Sequence, residues 1–128
     1  MSGDQGGLLP EGANELMHGL RAEVEFEAVA AEDVVAGEPA QGILELGSIA
    51  GAEVGIWELR GGAVTDTEAD ELFVVLSGGA RIELLDSPDG RGGRAFEVGP
   101  GDVMRLVAGT RTRWTVEDHI RKVYIAAE

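Results

Sequence analysis

The chain has 128 residues, which is enough for one domain with its own core. It contains no cysteine, which excludes disulfides, zinc–thiolate sites and thiol nucleophiles. Its formal net charge of −14 at pH 7 makes binding to nucleic acid or to an anionic membrane unfavourable. There is neither a long apolar run nor a recognisable secretory signal, so we expect a cytoplasmic protein.

Residues 1–20 are predicted to form a flexible N-terminal arm. Residues 1–10 are rich in glycine. The stretch "GANELMHGLRAE", residues 12–23, has the signals of one short helix, with Asn14 as its N-cap and Gly19 at its end.

The rest of the chain, residues 21–128, is predicted to form a single all-β domain. In "AEVEFEAVA", residues 22–30, Val24 and Phe26 alternate with glutamates, which indicates a strand with one wet face. Glycine-rich turns such as "SPDGRGG" and "GPGD" separate the strands, and this pattern is typical of an antiparallel sandwich or barrel. The further predicted strands are 42–48, 52–62, 71–77, 80–86, 94–98, 103–107, 112–117 and 121–126.

Five motifs occur in order between residues 42 and 126: "GIWELRGG", "DELFVVLSGG", "GPGDV", "RWTVED" and "RKVYI". This set resembles the cupin domain of ureidoglycine aminohydrolases and ethanolamine-utilisation proteins. The resemblance implies a jelly roll, a single antiparallel double-sheet β-barrel. It also implies a homodimer that pairs through N-terminal strands, here residues 23–29.

The sequence departs from the metal-binding cupins at the ligand positions. Glu71 and Gly78 keep the family's spacing of carboxylate and glycine. The positions of the family's histidines hold no imidazole: they fall on Thr65, Thr67 and Thr112, or on Val64 and Asp66 in the first unit with the longer spacing. We therefore expect no tightly held transition metal and no other cofactor. Asp66 and Glu71 could at most form a weak oxygen site for a divalent cation such as Mg²⁺ or Ca²⁺.

Glu71 and Lys122 are the first candidates for chemistry. The resemblance implies that Glu71 points into the barrel. Lys122, the only lysine, and Tyr124, the only tyrosine, share one face of the last strand. Lys122 either faces inward as the counter-charge of Glu71 or extends to water, and both alternatives stay open. If it faces inward, the three residues could act in acid–base catalysis. The residues predicted to line a ligand site are Trp57, Phe73, Arg105, Thr112 and Trp114.

Three functions are compatible with these residues. The first is a metal-poor cupin that binds a small polar metabolite. The second is an enzyme, a lyase, isomerase or aminohydrolase-like protein, that uses Glu71, Lys122 and Tyr124. The third is a dimeric scaffold, for which we expect Glu71 turned to solvent and the pocket filled by side chains. A serine nucleophile is not expected, because the sequence offers no histidine partner for Ser77.

Overall fold

The computed structural model of the protein describes residues 7–127. Within this range the strands pair antiparallel, which confirms the all-β prediction. The elements are β1 (Glu27–Ala28), a 3-10 helix (Ala31–Asp33), β2 (Val34–Ile49), β3 (Ala52–Thr67), β4 (Glu71–Gly78), β5 (Ala80–Asp86), β6 (Ala95–Val98), β7 (Val103–Leu106) and β8 (Arg111–Ala126). None of the helical segments in this range is long and apolar enough to span a bilayer.

Strands β2, β3 and β8 each span 16 residues and are longer than the sequence predicts. The predicted strands 112–117 and 121–126 are one continuous strand, because the polar residues between them do not break the ladder. His119, for example, stays paired with Arg60 of β3. The predicted strand 22–30 shortens to β1, in which Ala28 pairs with Ala40 of β2 in the same chain.

The strands follow the order β1-β2-β3-β8-β4-β7, and β5 pairs with both β6 and β8. β3 pairs with β8 along nearly its whole length, so these two strands form the centre of the sheet. β8 pairs with β5 through its first half and with β4 through its second half. The predicted barrel is not closed by hydrogen bonds, because no ladder within residues 7–127 joins β6 or β7 to β1 or β2.

The predicted N-terminal helix is absent: residues 12–23 form turns and irregular backbone, with one hydrogen-bonded turn in which the N–H groups of Arg21 and Ala22 donate to His18 O at 3.1 and 3.0 Å. A helix this short is marginal unless tertiary contacts support it. The tertiary contacts of this segment hold it in an irregular path instead. The Arg121 guanidinium donates hydrogen bonds to the carbonyl oxygens of Gly19 at 2.6 Å and Ala22 at 2.7 Å, and Leu9 N–H donates to Leu46 O at 2.6 Å. The first six residues of the predicted arm lie outside the described range.

The apolar core lies on the inner side of β3, β4, β5 and β8. Leu59, Ile82 and Ile120 have no exposed surface, and the Trp114 side chain packs among them. Large aromatic side chains contribute much of the apolar area that such a core buries. Alternate residues of a strand share a face, so the side of β8 that supplies Ile120 also carries Lys122 and Tyr124 inward.

Candidate functional site

A cavity of about 320 Å³ adjoins this core. Its wall combines aromatic rings with several carboxylates and one ammonium group. Six of the residues predicted to form a site line it: Trp57, Asp66, Glu71, Trp114, Lys122 and Tyr124.

The register of the central strands brings the charged pair together. Lys122 of β8 lies opposite Trp57 of β3 on one side and Val75 of β4 on the other. Glu71 opens β4 opposite Ala126 of β8. Ala126 and Lys122 share one face of β8, and the long side chains of Glu71 and Lys122 span the gap between their positions; both line the cavity, and Lys122 is buried. Lys122 therefore faces inward, which resolves the alternative that the sequence leaves open.

The Lys122 ammonium donates a hydrogen bond to the Glu71 carboxylate. It also lies over three aromatic rings, at 4.7 Å from the Trp57 centroid, 4.4 Å from Phe73 and 4.8 Å from Trp114. We call these three rings the lysine cage. A desolvated cation over aromatic faces gains about 2 kcal/mol, so the cage partly offsets the cost of removing the ammonium from water.

Burial raises the pKa of Glu71 above its ordinary value, and the Lys122 charge and hydrogen bond oppose that shift. A carboxyl group whose pKa moves toward neutrality, next to an ammonium, has the chemistry of an acid–base pair. The geometry thus brings together the three residues predicted for catalysis, Glu71, Lys122 and Tyr124, in one cavity wall. Their catalytic role stays a prediction.

Glu68 is not among the predicted site residues, and it is a buried member of the wall. Its carboxylate accepts hydrogen bonds from the Thr112 hydroxyl at 2.6 Å and from the Trp114 indole N–H at 3.0 Å. The backbone of Glu68 is also fixed, because its N–H donates to Thr110 O at 2.8 Å. Thr112 therefore contributes by orienting Glu68.

Asp66 lies at the rim of the cavity, where its side chain is partly exposed. Partial burial and the nearby charge of Glu68 raise the pKa of Asp66 to about 6, and Asp33 adds to the same effect. The Thr67 backbone N–H and the Lys122 ammonium oppose it. The charges that act on Asp66 are thus two carboxylates and one ammonium.

Tyr124 donates a hydrogen bond from its hydroxyl to Glu53 at 2.7 Å. Burial, together with Glu53, raises the pKa of this hydroxyl, so it acts as a donor at neutral pH. Gly55 makes room for the ring, because a Cβ at Gly55 would lie 2.5 Å from the Tyr124 hydroxyl oxygen. This contact gives a physical reason for glycine before Trp57 in the "GIWELRGG" motif.

Two other predicted ligand-binding residues lie behind the wall, and one lies away from it. Phe73 and Thr112 are buried and act through the lysine cage and Glu68. Arg105 on β7 is exposed and lines a separate groove with Met104 and Phe96, so the structure does not bring it to the cavity. Its alternation with Met104 on a short outer strand turns it away from the core.

The residues at the cupin ligand positions do not fit a transition metal. Thr65, Thr67 and Thr112 offer hydroxyls where imidazoles would bind, and Glu71 already accepts a hydrogen bond from Lys122. Asp66 and Glu71 both line the cavity, but across residues 7–127 no three His, Asp or Glu side chains are grouped to hold a metal ion.

Ser77 does have a histidine partner, contrary to the expectation from sequence. Its hydroxyl lies 3.0 Å from His119 Nε2, and His119 Nδ1 lies 2.5 Å from the Asp118 carboxylate. Asp118 is largely exposed, with 87% of its side-chain surface accessible. A hydrolytic triad needs a buried carboxylate to hold the imidazole, so this chain of contacts does not meet that requirement.

Comparison with known proteins places this geometry in a family. The family model described as the EutQ-like cupin domain matches residues 47–124, more than half of the chain. None of the curated proteins matches significantly. Solved structures share the fold at low identity, which shows the fold alone.

Three of these structures illustrate the likeness. EutQ from Clostridium difficile has a TM-score of 0.60 at 18% identity, covering 83% of this chain and 80% of its own. A putative ethanolamine utilization protein Q from Salmonella typhimurium has a TM-score of 0.58 at 15% identity, covering 83% and 98%. A cupin superfamily protein from Desulfitobacterium hafniense has a TM-score of 0.61 at 14% identity, covering 96% and 97%.

The cupin resemblance inferred from the five sequence motifs is confirmed, whereas the narrower likeness to ureidoglycine aminohydrolases stays a prediction. The chain belongs to the family of EutQ-like cupin domains.

Proposed function

We propose that this protein is a cupin that binds a small polar metabolite in its cavity without a tightly held metal ion. The observation that carries the proposal is the Lys122–Glu71 pair inside the lysine cage, at the wall of a cavity of about 320 Å³. A concave cavity in which oriented polar groups converge beside aromatic and aliphatic side chains is typical of a small-molecule site.

The pair also supports the metal-poor character. In a metal-binding cupin the carboxylate serves the ion, whereas here an ammonium from the chain itself supplies the positive charge beside Glu71. A buried ion pair seldom stabilises a fold more than apolar residues of similar volume would. Its presence at a cavity wall is therefore better explained by ligand binding than by stability.

An enzyme that uses Glu71, Lys122 and Tyr124 is the second candidate. The raised pKa of Glu71 beside Lys122 favours it. NMR would test it by following a bound compound over time. Conversion of that compound by the wild type and by Glu97→Gln, but not by Glu71→Gln, would move this candidate to first place. The scaffold function is less favoured, because Glu71 faces a cavity that side chains do not fill.

Blocking the cavity mouth tests the proposal. Ile43 lines the cavity and is 58% exposed, so Ile43→Trp narrows the mouth without disturbing the core. Ile49 lies on the same strand, is 68% exposed and does not line the cavity, so Ile49→Trp is the matched control. Thermal shift against a set of amines, amino acids, carboxylates and sugars should reveal a compound that stabilises the wild type and Ile49→Trp but not Ile43→Trp.

A set in which no compound stabilises the wild type, or one in which Ile43→Trp responds equally, would contradict the proposal.

We propose in addition a cytoplasmic homodimer that pairs through N-terminal strands and binds neither nucleic acid nor membrane. The strongly acidic composition supports the last two points. The position of β1 at the end of the strand order supports pairing there.

A further inference from the structure

We infer that the cavity recognises a small organic cation, an amine or a guanidinium compound, and this inference rests on the proposed function of metabolite binding. The charge of the wall is the starting point. Among residues 7–127, five carboxylates and one ammonium line the cavity; the carboxylates are Asp33, Glu53, Asp66, Glu68 and Glu71. No arginine or histidine of this range lines it.

Within the part of the chain that the structure describes, only one of these carboxylates has a charged partner. Lys122 pairs with Glu71, and the salt bridges within residues 7–127 include none to the other four. Glu68 is held by the neutral donors Thr112 and Trp114, and Glu53 by the neutral hydroxyl of Tyr124. These hydrogen bonds fix the carboxylates in place and leave their charge uncompensated.

The carboxylates come from separate parts of the chain. Asp33 belongs to the 3-10 helix, Glu53 and Asp66 to the two ends of β3, and Glu68 to the loop before β4. The fold therefore brings like charges together, although their mutual repulsion opposes it. Burial, together with the nearby charges of Glu68 and Asp33, raises the pKa of Asp66. A cation bound among them would relieve the repulsion.

Aromatic walls make an organic cation a better match than a hydrated metal ion. Trp57 and Trp114 line the cavity, and their rings meet edge to face with centroids 5.2 Å apart. The same two rings already hold the Lys122 ammonium, so this wall accommodates a nitrogen cation. An anionic ligand would find one cation, Lys122, and would have to compete with Glu71 for it.

Calorimetric titration of the full chain at low ionic strength with matched four-carbon probes tests the inference. The probes are 1,4-diaminobutane, 1,4-butanediol and succinate, which share a length and differ in charge, with CaCl₂ as a metal probe. We expect 1,4-diaminobutane to bind at least about tenfold more tightly than the diol, and succinate not to bind. Added NaCl should weaken the binding.

Near-isosteric variants locate the cation. Asp66→Asn and Glu53→Gln keep the shape of the wall and should each weaken 1,4-diaminobutane binding about tenfold, since each removes one charge from it. Glu97→Gln removes an exposed carboxylate paired with Arg81, outside the cavity, and should leave the affinity unchanged. The thermal unfolding curve of each variant confirms that it is folded before titration.

Three outcomes would overturn the inference. The first is binding of 1,4-diaminobutane outside the cavity. Binding that Ile43→Trp leaves unchanged, or that Glu97→Gln weakens, would show this. The second is tighter binding of succinate or the diol, blocked by Ile43→Trp, which would leave metabolite binding standing and reject only the cationic class. The third is the absence of binding heat from any organic probe, with or without binding of Ca²⁺. In that case the thermal-shift experiment with the metabolite set tests the proposed function separately.

Discussion

Lys122 and Glu71 lie 51 positions apart in the chain and form a hydrogen-bonded ion pair at the cavity wall. Their side chains are only 6% and 12% exposed. Removing one partner of such a pair leaves a buried charge without compensation, which makes the pair the most sensitive point of the cavity.

A double-mutant cycle on this pair should show strong coupling. Lys122→Met is expected to lower the free energy of unfolding by about 3 kcal/mol, because Glu71 is left unpaired. Adding Glu71→Gln should recover most of that loss. The exposed pair Arg81–Glu97 is the control, and Arg81→Met there should cost less than about 1 kcal/mol. Chemical denaturation measures the free energy of unfolding of each variant. Equal losses of stability in Lys122→Met and Arg81→Met would contradict the buried arrangement of the Lys122–Glu71 pair.

Gly55 provides a test of how tightly Tyr124 is held. Gly55→Ala places a Cβ against the Tyr124 hydroxyl and should destabilise the protein by about 1–3 kcal/mol, because the ring has to move away from Glu53. Gly99 has open space around it and no positive φ, so Gly99→Ala should be neutral or slightly stabilising. Unfolding curves that rank the two variants in the opposite order would argue against this packing.

The raised pKa of Asp66 gives a pH dependence of definite sign. Its value rises from 3.8 to about 6 in the folded protein, so the native state binds the proton more tightly than the unfolded chain does. Stability is therefore lost as pH rises from about 4 to about 6, and the loss persists at neutral pH. Asp66→Asn should remove it and stabilise the protein at pH 7.5, by less than about 1 kcal/mol because the side chain is partly exposed.

The advantage of the same variant should vanish well below pH 3.8, where Asp66 is protonated in both states. Glu68, Asp33 and Lys122 all act on Asp66, so the transition is expected to be broader than that of an isolated group. Melting temperatures of wild type and Asp66→Asn across this range measure the difference. If Asp66→Asn instead had the higher melting temperature at pH 4 and not at pH 7.5, the pH dependence would have the opposite sign. The raised pKa of Asp66 would then be rejected.

Light scattering on a sizing column tests the proposed homodimer. The full chain is expected to elute as a dimer, and a chain lacking residues 1–30 as a monomer or an aggregate. A chain lacking residues 1–6 keeps every contact described for the N-terminal segment and should remain a dimer. A soluble dimer formed without residues 1–30 would show that pairing does not need the N-terminal strands.

The fold was predictable because strand signals repeat along the chain, whereas the helix was predicted from local signals alone. Asn14 and Gly19 have the residue types of a cap and a stop, but the Gly19 carbonyl instead accepts a hydrogen bond from Arg121, 102 positions away. Such a contact depends on tertiary structure and has no local signature. For the same reason the partner of Ser77, His119 on β8, could not be found from sequence.

The site was predictable only in part. The positions of Glu71, Lys122 and Tyr124 follow from strand alternation and from the motifs that resemble the family. Glu53 and Glu68, like Asp33, were missed, because further acidic residues carry no distinguishing signal in a chain with a net charge of −14. What marks them is three-dimensional: Glu68 lies against Thr112 and Trp114, and Glu53 against Tyr124.

We propose that an ammonium of the chain, and not a transition metal, supplies the positive charge beside Glu71. Elemental analysis of protein purified without a histidine tag, before and after incubation with Mn²⁺ or Zn²⁺ and removal of free ions, tests it most directly. We expect no stoichiometric transition metal in either sample, since no imidazole occupies a ligand position. About one manganese, iron, nickel or zinc ion per chain, lost in Glu71→Gln, would contradict the account and make Glu71 a metal ligand.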